Sequence, residues 1–323
     1  MEFRLEYTPK PFAIKIQHAH RLFLAGSCFT EQIGLKLAAH KFRIIQNPNG
    51  ILFNPVSIST SLISYIEHKQ YSQQDLFFQN EHWASWDHHT RFSALTAEEC
   101  LHKINTSISE AHLFLKETDW LLLTLGSAFV YELPSKKIVA NCHKVPNDKF
   151  IKRLLGIEEV VSSLHTLIYR LKQFNPKIKI IFTISPVRHL RDGFVENNRS
   201  KATLINAVHH LVDTFENLFY FPAYELVMDD LRDYRFYADD MVHPNYAATN
   251  YVWEKFTAAC IEEDSRQLMK ELYAIQAAYL HKPFQPASSA HQNFLQNNLQ
   301  KATEILSAYP YIDLKKEIHF FES

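Results

Sequence analysis

Two short segments near opposite ends of the chain carry residue types that can act together on an ester. Ser27 follows the apolar run Arg21–Gly26, so it is placed where a buried strand gives way to a helix. Asp240 precedes His243 by three positions, at a corner that Pro244 terminates. A serine, a base and a carboxylate that orients the base are the parts of a nucleophilic hydrolase. The order Ser27…Asp240…His243 predicts the layout of one group of esterases rather than that of the familiar serine proteases.

Each of these residues also has a simpler interpretation. Ser27 can serve only as the N-cap of the following helix. Asp240 can likewise cap a helix, with His243 a surface histidine before Pro244. Cys28 is a rival nucleophile next to Ser27. The spacing leaves these alternatives open.

Histidine is abundant, with 18 residues, which invites a metal site. The clusters are His18/His20, His82/His88/His89 and His209/His210. None has an acidic or cysteine companion at a recognised ligand spacing such as HExxH. We therefore expect no metal and no cofactor.

Length and composition limit the classes of protein and partner. The chain has 323 residues, 46% apolar and 21% charged, with a net charge of −1, so one large domain with a substantial core is expected. The chain has no basic tract of the kind that binds nucleic acid, so we expect no nucleic-acid partner. The chain has no run of about 18 apolar residues, so we expect no membrane span.

The start of the chain is charged at Glu2, Arg4, Glu6 and Lys10 and lacks the apolar core of a signal peptide. Four scattered cysteines without a CxxC pair fit reduced thiols, and we expect a cytoplasmic protein.

Periodicity predicts alternating strands and helices, which is typical of a parallel sheet covered by helices on both faces. The predicted strands are Arg21–Gly26, Arg43–Gln46, Trp120–Leu125, Lys177–Ile184 and Leu218–Ala223. The predicted helices are Thr30–His40, Pro55–His68, Ala97–Phe114, Glu158–Phe174, Asn198–Asn217 and, as one helix or two, Tyr246–Tyr279. An inserted hairpin or loop is predicted within 76–92, a hairpin within 128–143, and an extended segment at Tyr234–Tyr237.

The chain changes character near residue 264, where it becomes helical and rich in Gln, Asn and Lys. We therefore predict an α/β/α domain over residues 1–263 and a helical C-terminal extension over 264–323. The extension is a candidate arm for homo-oligomerisation.

Several residues are predicted to line a cleft at the carboxyl edge of the sheet, where binding loops of parallel sheets gather. Glycine is scarce, with six residues, yet Gly26 and Gly126 each follow a strand and Gly50 lies in an Asn-Pro-Asn-Gly turn. Ser127 follows Gly126, and Arg188 and His189 follow the fourth strand. Arg188 can bind an anionic group or pair with acidic neighbours.

Two polar and aromatic patches surround His89 and Asn141. They suit a carbohydrate or another polar ligand. An insertion that packs on its own aromatic residues is an equal alternative.

Five ordered blocks resemble one known family. Gly26-Ser27-Cys28-Phe29-Thr30 is similar to the signature of the GSCFA family, with Thr in place of the final Ala. The further blocks are Leu125–Tyr131, Asn141–Lys144, Ser185–His189 and Asp240–Pro244, and the resemblance covers roughly residues 5–290.

That family looks like a branch of the SGNH (GDSL-like) hydrolases. The resemblance implies a three-layer α/β/α sandwich with Ser27 as nucleophile, His243 as base and Asp240 as its orienting carboxylate. It implies oxyanion donors at the Ser27 N–H, at Gly50 and at an asparagine after the third strand. Gly126-Ser127-Ala128 has no asparagine two positions after the glycine, so Asn141 is expected to replace it.

The sequence thus predicts a serine esterase that acts on a polar acylated compound such as a decorated sugar. Water and a sugar hydroxyl are interchangeable acceptors for an acyl-serine, so hydrolase and acyltransferase are both expected, with an acetyl group among the candidates. One alternative is a non-catalytic module that binds a carbohydrate or other ligand in the same cleft. A weaker one is an assembly protein whose helical tail makes the functional contact.

Overall fold

In a computed structural model, which describes residues 5–322, strands and helices alternate along most of the chain. Glu2 and Arg4, which entered the signal-peptide prediction, lie outside that range. The strands are β1 (Arg21–Gly26), β2 (Arg43–Gln46), β3 (Phe77–Gln79), β4 (His82–Ala84), β5 (Trp120–Leu125), β6 (Phe129–Glu132), β7 (Ile138–Val139), β8 (Ile151–Leu154), β9 (Lys179–Ile184) and β10 (Leu218–Tyr220). The helices are α1 (Cys28–Ala39), α2 (Pro55–Ile66), α3 (Ala97–Lys116), α4 (Ile157–Phe174), α5 (Gly193–Thr214), α6 (Ala223–Glu225), α7 (Tyr246–Cys260), α8 (Glu263–Tyr279), α9 (Ser289–Ala308) and α10 (Lys315–Phe321).

The central sheet has five strands in the order β10-β9-β5-β1-β2, and every pair is parallel. The five predicted strands are confirmed, with small differences at their ends. From β1 the chain first adds β2 on one side and later adds β5 on the other. Such a reversal of direction opens a crevice at the carboxyl ends of the two strands, where ligands of open α/β sheets bind. Ser27 directly follows β1 and therefore lies at this crevice.

Helices cover both faces of the sheet, which confirms the predicted three-layer α/β/α arrangement. Alternate residues of β1 point to opposite faces. Phe23 and Ala25 belong to a core shared with α2, α3, α4 and α5. Leu22 and Leu24 belong to a second core, shared with α1 and α7. Strands buried on both sides explain the continuous apolar runs that the sequence displays.

Two predicted segments differ from the observed structure, and for a third the structure decides between one helix and two. The insertion after β5 is a three-stranded sheet, because β8 pairs with β6 on the side opposite β7. Tyr234–Phe236 is a 3-10 turn rather than an extended segment. Tyr246–Tyr279 divides into α7 and α8 because Ile261 is extended: Ile16 bonds the Cys260 carbonyl and the Glu262 N–H on either side of it.

The C-terminal helices α8, α9 and α10 share a third apolar cluster, which includes Leu272, Leu295 and Phe321. This extension packs against the main domain beside α1 and β2. Lys41 Nζ lies 2.5 Å from Oε1 of Glu317, whose side chain is almost fully buried. The boundary at residue 263/264 falls in the first turn of α8 and stays a prediction, as does oligomerisation through these helices.

Two further properties concern the described part of the chain. None of its helices has both the length and the apolar character that crossing a lipid bilayer needs. Within residues 5–322, no three His, Cys, Asp or Glu side chains are arranged as ligands for one metal ion.

Removing the buried carboxylate of Glu317 should loosen the extension. Glu317→Ala leaves the Lys41 ammonium unpaired in a largely buried position, and we expect a loss of about 2–3 kcal/mol in the free energy of unfolding. Glu271→Ala, at an exposed position of α8, should change it by less than about 0.5 kcal/mol. Urea denaturation of both variants measures the difference. Equal stability of the two variants would show that Lys41–Glu317 does not hold the extension in place.

Candidate active site

Ser27 is positioned by the glycine before it. Gly26 ends β1 with a φ of +140°, and a Cβ at this position would lie 2.2 Å from the Thr124 carbonyl oxygen of β5. Any larger residue would push the two strands apart. Ser27 is the N-cap residue of α1, but its hydroxyl makes no capping hydrogen bond. The interpretation of Ser27 as only a helix cap is therefore wrong.

The Ser27 hydroxyl is fully buried, and within residues 5–322 it has no hydrogen-bond partner. A buried hydroxyl without a partner loses the hydrogen bonds that water would give it, at a cost of about 1–3 kcal/mol. An unsatisfied buried group needs an explanation, and a catalytic role is one of those available.

His243 and Asp240 form the predicted pair. His243 Nδ1 lies 2.7 Å from Oδ2 of Asp240, and both side chains are half-exposed. The other carboxylate oxygen accepts the N–H groups of Val242 and His243 at 2.9 and 3.0 Å. These backbone hydrogen bonds, together with the imidazole, lower the pKa of Asp240 to about 2. Asp240 is therefore ionised at neutral pH and fixes the orientation of the ring; the catalytic roles stay predictions.

The fold brings Ser27 and His243 to the same edge of the sheet without joining them. A groove of about 830 Å³ is lined by Cys28 and by His243. Ser27 directly precedes Cys28 in the chain. The predicted hydrogen bond between the Ser27 hydroxyl and His243 is absent, because that hydroxyl has no partner in the described part of the chain. That prediction is wrong for this conformation. Cys28 faces the groove, but burial raises the pKa of its thiol, which disfavours the thiolate.

Two expected oxyanion donors are already in use. The Ser27 N–H donates to the Thr124 carbonyl at 3.1 Å. The Gly50 N–H donates to the Asn47 carbonyl at 2.7 Å, which closes the turn after β2. Both assignments are therefore corrected: in this conformation neither N–H is available to a substrate.

Asn47 offers a donor that the sequence analysis missed. Its Oδ1 accepts the Gly26 N–H at 2.9 Å, and its own N–H bonds the Leu24 carbonyl at 2.9 Å. The carboxamide is thereby fixed beside the residue that precedes Ser27. Its Nδ2 is buried and has no partner in the described residues. Both side-chain polar atoms of Asn49 are likewise buried and have no hydrogen-bond partner in the described residues.

A buried lysine lies below the carboxyl ends of β5 and β9. Lys201 of α5 is 1% exposed, and its Nζ donates to the carbonyls of Gly126 and Ser185, each at 2.7 Å. Burial lowers its pKa to about 7. His189 packs against Gly126. Burial is the main cause that lowers the pKa of His189 to about 4, and the charge of Lys201 is the second. At neutral pH His189 is therefore uncharged, and its buried Nε2 has no partner in the described residues.

Two further predicted cleft residues hold loops in place. The Ser127 hydroxyl contacts that of Ser200 at 3.2 Å and accepts the Phe129 N–H at 3.0 Å. Arg188 donates its N–H to the Val242 carbonyl at 3.2 Å, and its guanidinium lies 4.2 Å from the centre of the Tyr237 ring. Arg188 thus joins the loop after β9 to the loop that carries His243, and among residues 5–322 no ion pair with an acidic side chain is formed.

The patches around His89 and Asn141 pack largely on themselves. Trp86 stacks on Phe77 with ring centroids 3.7 Å apart, which fits an insertion that packs on its own aromatic residues. His89 packs against Gly50. Asn141 Oδ1 accepts the His143 N–H at 2.8 Å and the Thr90 hydroxyl at 3.3 Å. None of these contacts reaches Ser27 or His243, so the oxyanion role of Asn141 stays a prediction.

A model described as the GSCFA family matches residues 21–256, which include Ser27, Asp240 and His243. The chain belongs to the GSCFA family. A second model, described as the C-terminal domain of a GSCFA domain protein, matches residues 273–323. No curated protein matches.

Solved structures similar to this GSCFA protein are distant. A putative platelet activating factor from Streptococcus pneumonia has 13% identity and a TM-score of 0.41, over 76% of this chain and 86% of that one. A carbohydrate esterase family 3 protein from Talaromyces cellulolyticus has 10% identity and a TM-score of 0.37, over 78% and 99%. An acetyl xylan esterase from Butyrivibrio proteoclasticus has 10% identity and a TM-score of 0.36, over 76% and 64%.

Weak sequence signals mark Asn47 and Lys201, which the sequence analysis did not single out. Asn47 is the first residue after β2, at the sheet edge where ligands bind. Lys201 lies at helical spacing from Asn197 and Leu204, on the buried face of α5. A lysine at an otherwise core-facing position is unusual, since lysine is almost never fully buried.

The lowered pKa of Lys201 makes a signed prediction about stability. Between about pH 7 and its ordinary pKa of 10.5, the unfolded chain binds a proton on Lys201 that the folded chain does not. Stability should therefore rise with pH in this window, by up to about 1.4 kcal/mol per pH unit. Lys201→Met abolishes that contribution, so wild type should gain stability relative to the variant from pH 7 to 9.5.

Urea denaturation at several pH values measures this gain. Lys116→Met, at an exposed position of α3, is the control and should show no such trend. Parallel stability curves for wild type and Lys201→Met would contradict the lowered pKa.

Proposed function

We propose that this GSCFA protein is a serine ester hydrolase, or a related acyltransferase, that acts on a polar acylated compound such as an acylated sugar. The observation that carries the proposal is the His243–Asp240 pair. His243 lines the groove that begins at the N-terminus of α1. There the Ser27 hydroxyl is buried, does not cap the helix and has no partner among the described residues. A nucleophile, a base and an oriented carboxylate are the requirements of covalent acyl transfer.

In the proposed reaction the Ser27 oxygen attacks the ester carbonyl carbon, and its proton passes to Nε2 of His243. Collapse of the tetrahedral adduct breaks the bond to the alcohol, which leaves with that proton. Water or a second alcohol then attacks the acyl group on Ser27 and gives its proton to His243. The Ser27 oxygen leaves and recovers the proton. Because Ser27 is buried, substrate binding must displace the side chains that cover it.

Asn47 is the proposed oxyanion donor. Its Nδ2 has no partner among residues 5–322, and the hydrogen bond from the Gly26 N–H to its Oδ1 holds the carboxamide next to Ser27. A donor that is already oriented costs no reorganisation when negative charge develops on the substrate oxygen. Lys201, below Gly126, adds a positive charge at the same edge of the sheet whenever it is protonated.

Exchange of this amide tests its role. Asn47→Asp keeps an oxygen that can accept the Gly26 N–H but removes the donor, so we expect turnover of p-nitrophenyl acetate to fall by about 10²–10³. Asn141→Ala is the comparison and should retain wild-type turnover. Thermal unfolding of both variants checks that each is folded. Loss of activity in Asn141→Ala, with Asn47→Asp unaffected, would assign the donor to Asn141 instead.

A specific observation favours a second function, a ligand-binding module without catalysis. Ser27 does not bond His243, and the N–H groups of Ser27 and Gly50 are both in use. A cleft that only binds a ligand needs none of these groups to be available.

A fluorophosphonate separates the two functions, because an activated serine displaces its fluoride and forms a covalent adduct. We expect one adduct, mapped by mass spectrometry to Ser27, that is lost in Ser27→Ala and in His243→Ala but retained in Cys28→Ser. An adduct on Cys28 would indicate a thiol enzyme. No adduct, together with inactivity towards a panel of acyl esters, would support the binding module.

A further inference from the structure

The groove beside His243 extends well beyond the triad. Its volume of about 830 Å³ is near the upper end of the range for small-molecule sites. From Cys28 and His243 it runs between α1 and α7 and ends at Lys270 and Tyr273 of α8. The far wall is therefore formed by the C-terminal extension and not by the α/β/α domain.

Three aromatic rings form an ordered array in this groove. His40 stacks on Tyr273 with ring centroids 5.7 Å apart and an interplanar angle of 20°, and its centroid is 5.5 Å from that of Trp253. His40 is held in place by a hydrogen bond between its Nδ1 and the Lys36 carbonyl at 2.8 Å. Tyr273 is nevertheless 59% exposed, so one face of the array is available to a ligand.

Polar side chains line the same groove as these rings. Gln32, Asn250 and Glu254 line the same groove, and the Lys36 ammonium bonds Asn250 while it lies 5.6 Å from the centre of the Tyr246 ring. An alkyl chain would have to desolvate these groups without bonding them, which is costly. A sugar ring instead offers apolar C–H faces to aromatic rings and hydroxyl groups to polar side chains at its edges.

We propose that this groove binds the alcohol portion of the substrate as a short oligosaccharide, and that Tyr273 of the C-terminal extension supplies a stacking surface for a sugar ring distant from the ester. The proposal rests on the proposed function, because the ester would lie at the His243 end of the groove. It gives the extension a role in substrate recognition. The Lys41–Glu317 contact that docks the extension would then also set the position of this wall.

Tyr273→Ala tests the stacking surface, and the chain offers a matched control. Tyr169, on α4 at the opposite face of the sheet, is also 59% exposed. With an O-acetylated xylotetraose as substrate, Tyr273→Ala should raise KM about tenfold, equivalent to about 1.4 kcal/mol of binding. The rise should be clearly smaller for p-nitrophenyl acetate, which is too short to span the groove. Tyr169→Ala should match wild type with both substrates.

Binding is also measured without catalysis. Titration of Ser27→Ala with unacetylated xylotetraose should change the fluorescence of Trp253, and the change should be lost in the Trp253→Phe variant and weakened about tenfold in Tyr273→Ala. If wild type hydrolyses no ester but this titration behaves as expected, the oligosaccharide subsite holds and the proposed function fails.

Two outcomes would overturn the subsite. One is equal KM values and equal binding for Tyr273→Ala and Tyr169→Ala. The other is a rise in KM caused by Tyr273→Ala with p-nitrophenyl octanoate but not with the acetylated oligosaccharide, since the groove would then hold an acyl chain.

Discussion

The close approach of β1 to β5 at Gly26 is the constraint on which the site depends. No room exists for a Cβ between Gly26 and the Thr124 carbonyl, and the backbone adopts a φ of +140° that favours glycine. The Gly26 N–H donates to Asn47 Oδ1, and the Gly26 carbonyl accepts the Leu52 N–H. The loop after β2 is therefore anchored to Gly26 at two points. This single position therefore sets the location of Ser27 and the direction of the Asn47 carboxamide at the carboxyl end of β1.

Polar groups at this edge are buried at considerable cost. The ammonium of Lys201 is removed from water and bonds two backbone carbonyls in place of a carboxylate. Its burial is compatible with folding because those carbonyls, from Gly126 and Ser185, gain a donor that they need. The same burial keeps His189 neutral and leaves its Nε2 without a partner in the described residues. The edge of the sheet is thus polar and buried, and electrostatic interactions are stronger in such surroundings than in water.

The two parts of the chain meet along α1. Its N-terminus carries Cys28 at the groove, and the loop after its C-terminus carries Lys41, which bonds Glu317 of the extension. Tyr273 and Lys270 reach the groove from α8. Displacement of the extension would therefore change the groove without altering the sheet, and the proposed subsite couples its shape to a contact outside the α/β/α domain.

Local patterns determined much of this structure. Apolar runs bounded by turn residues located the five strands of the sheet, because strands buried on both faces need no polar alternation. The Asp240–His243 contact spans only three positions, so the turn that contains it suffices to form it. Contacts between distant segments were decided by the tertiary structure. Ile16 ends α7 by bonding backbone groups on both sides of Ile261. The sequence around Ile261 does not predict this contact. The burial of Lys201 likewise depends on which strands are neighbours, and so do the surroundings of Asn47 Nδ2 and the absence of a Ser27–His243 hydrogen bond. The order of strands in space is not the order along the chain, so local patterns do not reveal it.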